Sequence, residues 1–84
     1  MRYTVCFDPA ADRDLESIPP RERNRILRKI ASLASDPRPP GIKKLRGFKD
    51  LYRLRVSDYR VIYRIEDDRL VVIIVEVGDR RDMY

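Results

Sequence analysis

Two stretches of this 84-residue chain carry side chains suited to chemistry on a phosphate. Between Leu51 and Ile65, arginines stand at alternate positions, Arg53 and Arg55 in one run and Arg60 and Arg64 in the next. A second cluster, Arg80-Arg81-Asp82-Met83-Tyr84, follows Gly78-Asp79. A guanidinium is planar, permanently charged and able to hold a phosphate through two parallel hydrogen bonds; it also stacks on bases. Fifteen of the 19 basic residues are Arg, and against 14 acidic residues they leave a formal charge of +5. An excess of this kind on a small chain points to an acidic partner, most often nucleic acid.

The missing residue types narrow the chemistry. There is no His, hence no ordinary acid–base group at neutral pH and none of the commonest metal ligand. The single Cys6 excludes an intramolecular disulfide, a thiolate zinc cluster and a CxxC redox pair. A two-metal nuclease needs converging carboxylates, whereas Glu66-Asp67-Asp68 falls in a turn without a matching set on a strand. No metal and no cofactor are expected. The first residues lack an apolar signal-peptide core, and the apolar run Leu70–Val75 is far below the roughly 18 residues of a spanning helix. A cytoplasmic domain with no membrane contact is the expectation.

The elements that must position the arginines follow from periodicity. Tyr3, Val5 and Phe7 alternate with polar residues as in a short strand. Asp8-Pro9 reads as an N-cap with Pro at the first helical position, and Ala11, Leu15 and Ile18 give one helical stripe. Pro19-Pro20 separates it from a second helix with Ile26, Leu27, Ile30, Leu33 and Ala34 inward. Arg21, Arg23, Arg25, Arg28 and Lys29 fall on its solvated side. Past Asp36-Pro37 the period becomes two: Tyr52, Leu54 and Val56, a two-residue turn at Ser57-Asp58, then Tyr59, Val61, Tyr63 and Ile65. Leu70–Val77 is apolar on both faces, as in a sheet interior.

These pieces predict one α+β domain over residues 1–84: a helical hairpin on one face of a four-stranded, mainly antiparallel sheet (β-α-α-β-β-β), with strand order 1-4-3-2. A chain this short buries only about 60% of its unfolded surface, so a cofactor cavity of nucleotide size does not fit inside it. If the apolar alternates face the helices, Arg53, Arg55, Arg60 and Arg64 share the open face. Charged residues on a strand are often merely its solvated side. Four like charges on consecutive strands are costly, however, and call for an anionic ligand such as single-stranded nucleic acid.

The run Lys43-Lys44-Leu45-Arg46-Gly47, then Leu51–Val56, Asp58–Ile65 and Val77–Tyr84, together with Phe7-Asp8-Pro9-Ala10, Asp14-Leu15 and Leu33–Pro37, resembles the RelE/ParE toxin superfamily over nearly the whole chain. The resemblance implies a fold related to small microbial ribonucleases and a toxin of a type II toxin–antitoxin pair. Relatives similar to RelE are ribosome-dependent endoribonucleases that cut mRNA and so inhibit translation. The family's functional positions fall on Arg53, Arg55, Arg60, Arg80 and Tyr84, with Lys43, Lys44, Arg46, Arg64 and Arg81 as further RNA- or ribosome-binding candidates. Some members hold Lys where Arg53 and Arg55 stand, and many hold His where Asp79 stands.

Cleavage by a neighbouring 2′-hydroxyl requires loss of its proton, stabilisation of a pentavalent phosphorane and protonation of the departing 5′-oxygen. Arg stabilises charge well but is a poor base. Arg53, Arg60 and Arg80 are therefore phosphate and transition-state candidates, with Arg55 and Tyr84 candidates for orientation or proton transfer. A site without His predicts weak cleavage in isolation and reliance on the ribosome to hold the RNA. The resemblance also implies a cognate antitoxin, with operator DNA bound only through that antitoxin. Two alternatives stand: a ParE-like inhibitor of DNA gyrase, and a non-catalytic basic binding module.

Overall fold

The computed structural model describes residues 2–47 and 50–79. Strand β1 (Thr4–Phe7) leads into helix α1 (Pro9–Glu16), then helix α2 (Pro20–Ser32), strands β2 (Lys43–Lys44), β3 (Leu51–Val56), β4 (Tyr59–Glu66) and β5 (Val71–Asp79). The helix starts are where the prolines put them. Asp8 Oδ1 accepts the Ala10 N–H at 3.0 Å, satisfying a donor that the first helical turn leaves open. Among the described residues no helix is long and apolar enough to cross a membrane.

The strands form one mixed sheet in the order β1-β5-β4-β3-β2. β1 runs parallel to β5, and the other pairings are antiparallel. The expected order of the four longer strands is observed, and the class is α+β as read. The strand count is five rather than four. The additional β2 is two residues long and carries no alternating apolar pattern; it exists through its pairing with β3, Lys43 opposite Arg53 and Lys44 opposite Tyr52.

The core lies between the helices and one sheet face. Ala11, Leu15, Ile18, Ile26, Ile30 and Leu33 meet Tyr52, Leu54, Val56, Val61, Tyr63, Ile65, Val72, Ile74 and Val77. Burying each aliphatic side chain contributes about 1.5–3 kcal/mol. Leu27 is half-buried and packs against this core, and Ala34, beyond the end of α2, is half-buried as well. On β5 the inward set is Val72, Ile74 and Val77. The pairing with β4 slips by one residue between Ile62 and Tyr63, so Ile62 opposes Glu76 while Tyr63 opposes Ile74. This irregularity leaves Val75 as the extra residue of a bulge, bending the strand locally.

Two polar ties hold the layers. Asp14 Oδ2 on α1 accepts the Val77 N–H of β5 at 3.0 Å. The loop after α2 is anchored by the Tyr63 hydroxyl, which donates to the Pro37 carbonyl at 2.9 Å. Tyr63 is fully enclosed, and burial, reinforced by neighbouring Tyr52, pushes its phenol up to about 12.

Candidate nucleic-acid interface

Because Tyr52, Leu54 and Val56 point into the core, the intervening Arg53 and Arg55 point to the face without helices. The same alternation on β4 sends Val61, Tyr63 and Ile65 inward, leaving Arg60, Ile62 and Arg64 on the open face. The β3–β4 register then brings the arginines together. Arg55 lies directly opposite Arg60, and Arg53 lies opposite Ile62, with Arg60 and Arg64 as its diagonal neighbours. Lys43 on β2 faces Arg53 from the other side. Directly opposed residues lie about 4.5–5.5 Å apart and diagonal ones about 7–8 Å, within the span of one phosphodiester and its neighbours.

The hairpin that sets this register turns at Ser57-Asp58 without a glycine. Ser57 adopts φ of 56°, a left-handed conformation uncommon for a residue with a β-carbon. Its surroundings hold it there: the Arg55 Nε–H donates to the Ser57 carbonyl at 3.3 Å, and Arg25 of α2 donates to the Ser57 hydroxyl at 3.3 Å.

Arg53 is half-buried and Arg55 exposed, and among the described residues neither is paired with a carboxylate. Arg60 is half-buried and sits opposite Gly78 of β5. Ile62 is a half-buried apolar floor between Arg53 and Glu76 in the same cross-strand row. An aliphatic floor ringed by guanidiniums suits a nucleobase or ribose flanked by phosphates.

The remaining sequence candidates are placed differently. Arg64 opposes Leu51 and Ile73, away from the Arg55–Arg60 pair, and its Nε lies 3.4 Å from Glu66 Oε2. Lys44 opposes Tyr52 and so belongs to the helix side of the edge, while Arg46 lies in the turn after β2. Arg80, Arg81 and Tyr84 lie outside the described residues. What is assembled is thus Lys43, Arg53, Arg55 and Arg60, with Arg64 at the margin beside Glu66; what is set apart is Lys44 and Arg46.

Sequence reasoning did not find Glu76, the carboxylate in the row of Arg53 and Ile62. The one-residue slip on β5 decides its place. In a run as uniformly apolar as Val71–Val75, no polar alternation marks where a slip falls. Glu76 also borders a groove of about 470 Å³ between α1 and the end of β5, with Asp14 and Asp79 beside it. Among the described residues no three His, Cys, Asp or Glu side chains are placed to hold a metal ion.

Known proteins share both the sequence and the fold. Residues 5–84 match the family model described as the ParE toxin of the type II toxin–antitoxin system parDE. The toxin RelG of Mycobacterium tuberculosis is 34% identical over 85 residues, covering 100% of this chain and 98% of that protein. The mRNA interferase toxin RelE of Escherichia coli K12 is 33% identical over 82 residues, 95% of this chain and 85% of that one. Among solved structures, a chain of the archaeal RelE–RelB complex from Pyrococcus horikoshii superposes with a TM-score of 0.85 at 32% identity, covering 98% of this chain and 99% of that one. With a match along nearly its whole length, this chain belongs to the RelE/ParE superfamily of type II toxin–antitoxin toxins.

Proposed function

We propose that the chain is a ribosome-dependent endoribonuclease that cuts mRNA and thereby arrests translation, held in check by a cognate antitoxin. The observation that carries this reading is the convergence of Arg53, Arg55 and Arg60 on the sheet face opposite the two helices, two of them directly opposed. The substrate 2′-oxygen attacks the adjacent phosphorus, the bond to the 5′-oxygen breaks, and a 2′,3′-cyclic phosphate and a 5′-hydroxyl result. Arg53 and Arg60, with Arg80, neutralise the charge that builds on the phosphorane; Arg55 and Tyr84 orient the reacting groups or carry the proton. With no His in the chain, much of the rate comes from substrate that is already held in place, which is the ribosome's contribution. Lys43, Lys44, Arg46, Arg64 and Arg81 serve as outlying RNA or ribosome contacts. The reaction belongs in the cytoplasm, and operator DNA is met through the antitoxin.

Two relatives support this assignment by name: the Escherichia coli protein is an mRNA interferase, and the Pyrococcus horikoshii toxin was solved with its RelB partner. The family model's description favours a second reading, inhibition of DNA gyrase as in ParE. Inducing the protein in cells and mapping message ends separates the two. Ribosome-dependent cuts that vanish with Arg53→Ala, Arg80→Ala or Tyr84→Phe are expected. Growth arrest with intact messages and DNA damage would overturn the nuclease in favour of gyrase.

A further inference from the structure

The slip in β5 changes the side of the sheet on which one carboxylate stands. Val72 and Ile74 point into the core, and an unbroken alternation would send residue 76 there too. The extra residue, Val75, reverses the parity. Val77 takes the inward place opposite Val61, and Glu76 moves to the face of Ile62, its cross-strand partner. Bulges re-aim side chains in this way and are frequent beside active sites. The shifted register is also held from outside the sheet: β1 pairs with β5 only as far as Ile74, and beyond it Asp14 Oδ2 of α1 accepts the Val77 N–H at 3.0 Å.

Glu76 thereby completes a row of three side chains, Arg53–Ile62–Glu76, with Arg60 its diagonal neighbour on β4. Successive members of such a row lie about 4.5–5.5 Å apart, so the row spans one ribose and its phosphate. Among the described residues two strand carboxylates fall on this face. Glu66 is engaged, 2.7 Å from Arg69 and 3.4 Å from Arg64. Glu76 is half-buried and in no ion pair among the described residues. A carboxylate accepts hydrogen bonds and repels phosphate, so on a face that receives RNA it works against binding unless the RNA offers it a hydrogen.

We propose that Glu76 is the general base of the cleavage reaction. The inference rests on the nuclease reading and names its proton acceptor. The other ionisable side chains assembled here, Lys43, Arg53, Arg55 and Arg60, are cations, and a guanidinium does not give up its proton in a protein. With the ribose over Ile62, the 2′-hydroxyl points to Glu76 and the phosphate to Arg53 and Arg60. The 2′-proton passes to the Glu76 carboxylate as the 2′-oxygen bonds to phosphorus. The bond from phosphorus to the 5′-oxygen breaks, and that oxygen takes a proton from water. The resulting hydroxide recovers the proton from Glu76, so no net proton is consumed.

The test measures single-turnover cleavage on message-programmed ribosomes for the native chain, Glu76→Gln and Glu76→Ala, the last with and without added formate. Glu76→Gln keeps the size and loses the base; it is expected to cut at least about 100-fold more slowly while binding the programmed ribosome no more weakly than the native chain. Formate, a carboxylate small enough to occupy the space left by Glu76→Ala, is expected to restore that variant's rate at least about tenfold and to leave the Gln variant unchanged. A residue that merely supported the fold would not respond to formate, and melting curves of both variants report on folding directly.

A native chain that cuts with Glu76→Gln equally fast would overturn the proposal and leave the nuclease reading intact. Slow cleavage by Glu76→Ala that formate does not raise would overturn it in favour of a structural role. A loss confined to particular bases at the cut would overturn it in favour of base reading by the same carboxylate. A native chain that leaves messages intact on the ribosome would overturn the nuclease reading and the base with it.

Discussion

Neighbouring residues on β3 present arginine in two opposite conditions. On the helix side of the strand, Tyr52 carries Arg38 over its ring, with the guanidinium carbon 5.3 Å from the ring centroid. Arg38 also donates through Nε to the Tyr52 hydroxyl, and through both terminal nitrogens to Asp67 at 3.2 and 2.9 Å. Asp67 in turn accepts from the Tyr3 hydroxyl at 2.7 Å. That one arginine ties β1, the loop after α2 and the turn before β5 together. On the other side of β3, Arg53 meets Lys43 and the Arg55–Arg60 pair and is matched by no carboxylate among the described residues. A satisfied arginine is part of the scaffold; a crowded one without a carboxylate partner is what the proposed RNA contact calls for. Total charge does not distinguish them. Their partners do.

The strongest test of this contrast removes the unmatched side. Arg53→Ala/Arg55→Ala should reduce message cleavage by at least about 100-fold, roughly 2.7 kcal/mol of transition-state stabilisation. Its thermal stability should stay within about 0.5 kcal/mol of the native chain. A large loss of stability would show that these arginines hold the fold and would break the contrast. Next in size is the layer beneath Arg38. Tyr63→Phe removes the donor to the Pro37 carbonyl and should destabilise the chain by about 1 kcal/mol, read by denaturant titration. Arg38→Ala should lower the melting temperature by a few degrees and leave cleavage per folded molecule unchanged, because its partners are half exposed to water and screened.

The smallest expected effect is in pH. The Arg38 guanidinium, then the Tyr3 hydroxyl, hold the Asp67 carboxyl down at about 2, below its ordinary 3.8. A depressed carboxyl stabilises the fold fully above its unfolded value and loses that contribution as pH falls from about 4 toward 2. Melting curves of the native chain and Asp67→Asn should therefore converge over that window. A constant gap down to pH 2 would show that the network is not electrostatic.

Much of this molecule could be read from periodicity, and the failures have a common cause. The inward residues of β3 and β4 were legible because alternate apolar side chains must reach one core, and that same rule placed Arg53, Arg55 and Arg60. Asp8-Pro9 and Pro20 marked helix starts through local backbone chemistry. What stayed hidden depends on contacts between distant parts of the chain. Lys43-Lys44 becomes a strand only by meeting β3, and Arg38 acquires its role from Asp67, 29 positions away. Lys44 and Arg64 look equivalent to Lys43 and Arg53 in the sequence. Pairing parity and a neighbouring Glu66 set them apart. Arg25 reads in the sequence as part of a solvated helix face, whereas its bond to the Ser57 hydroxyl ties α2 to the hairpin turn.

The parallel pairing of β1 with β5 has a consequence for how the protein comes into being. Thr4 is matched with Val71, so the first strand waits for nearly the whole chain before its partner exists. At about 5–20 residues per second, the intervening synthesis takes roughly several seconds. Until then the apolar faces of α1 and α2 lack Val72, Ile74 and Val77, and β4 lacks the neighbour that completes the open face. The β3–β4 hairpin has its register as soon as both of its strands are made, but the helices meet a complete core only when β5 arrives.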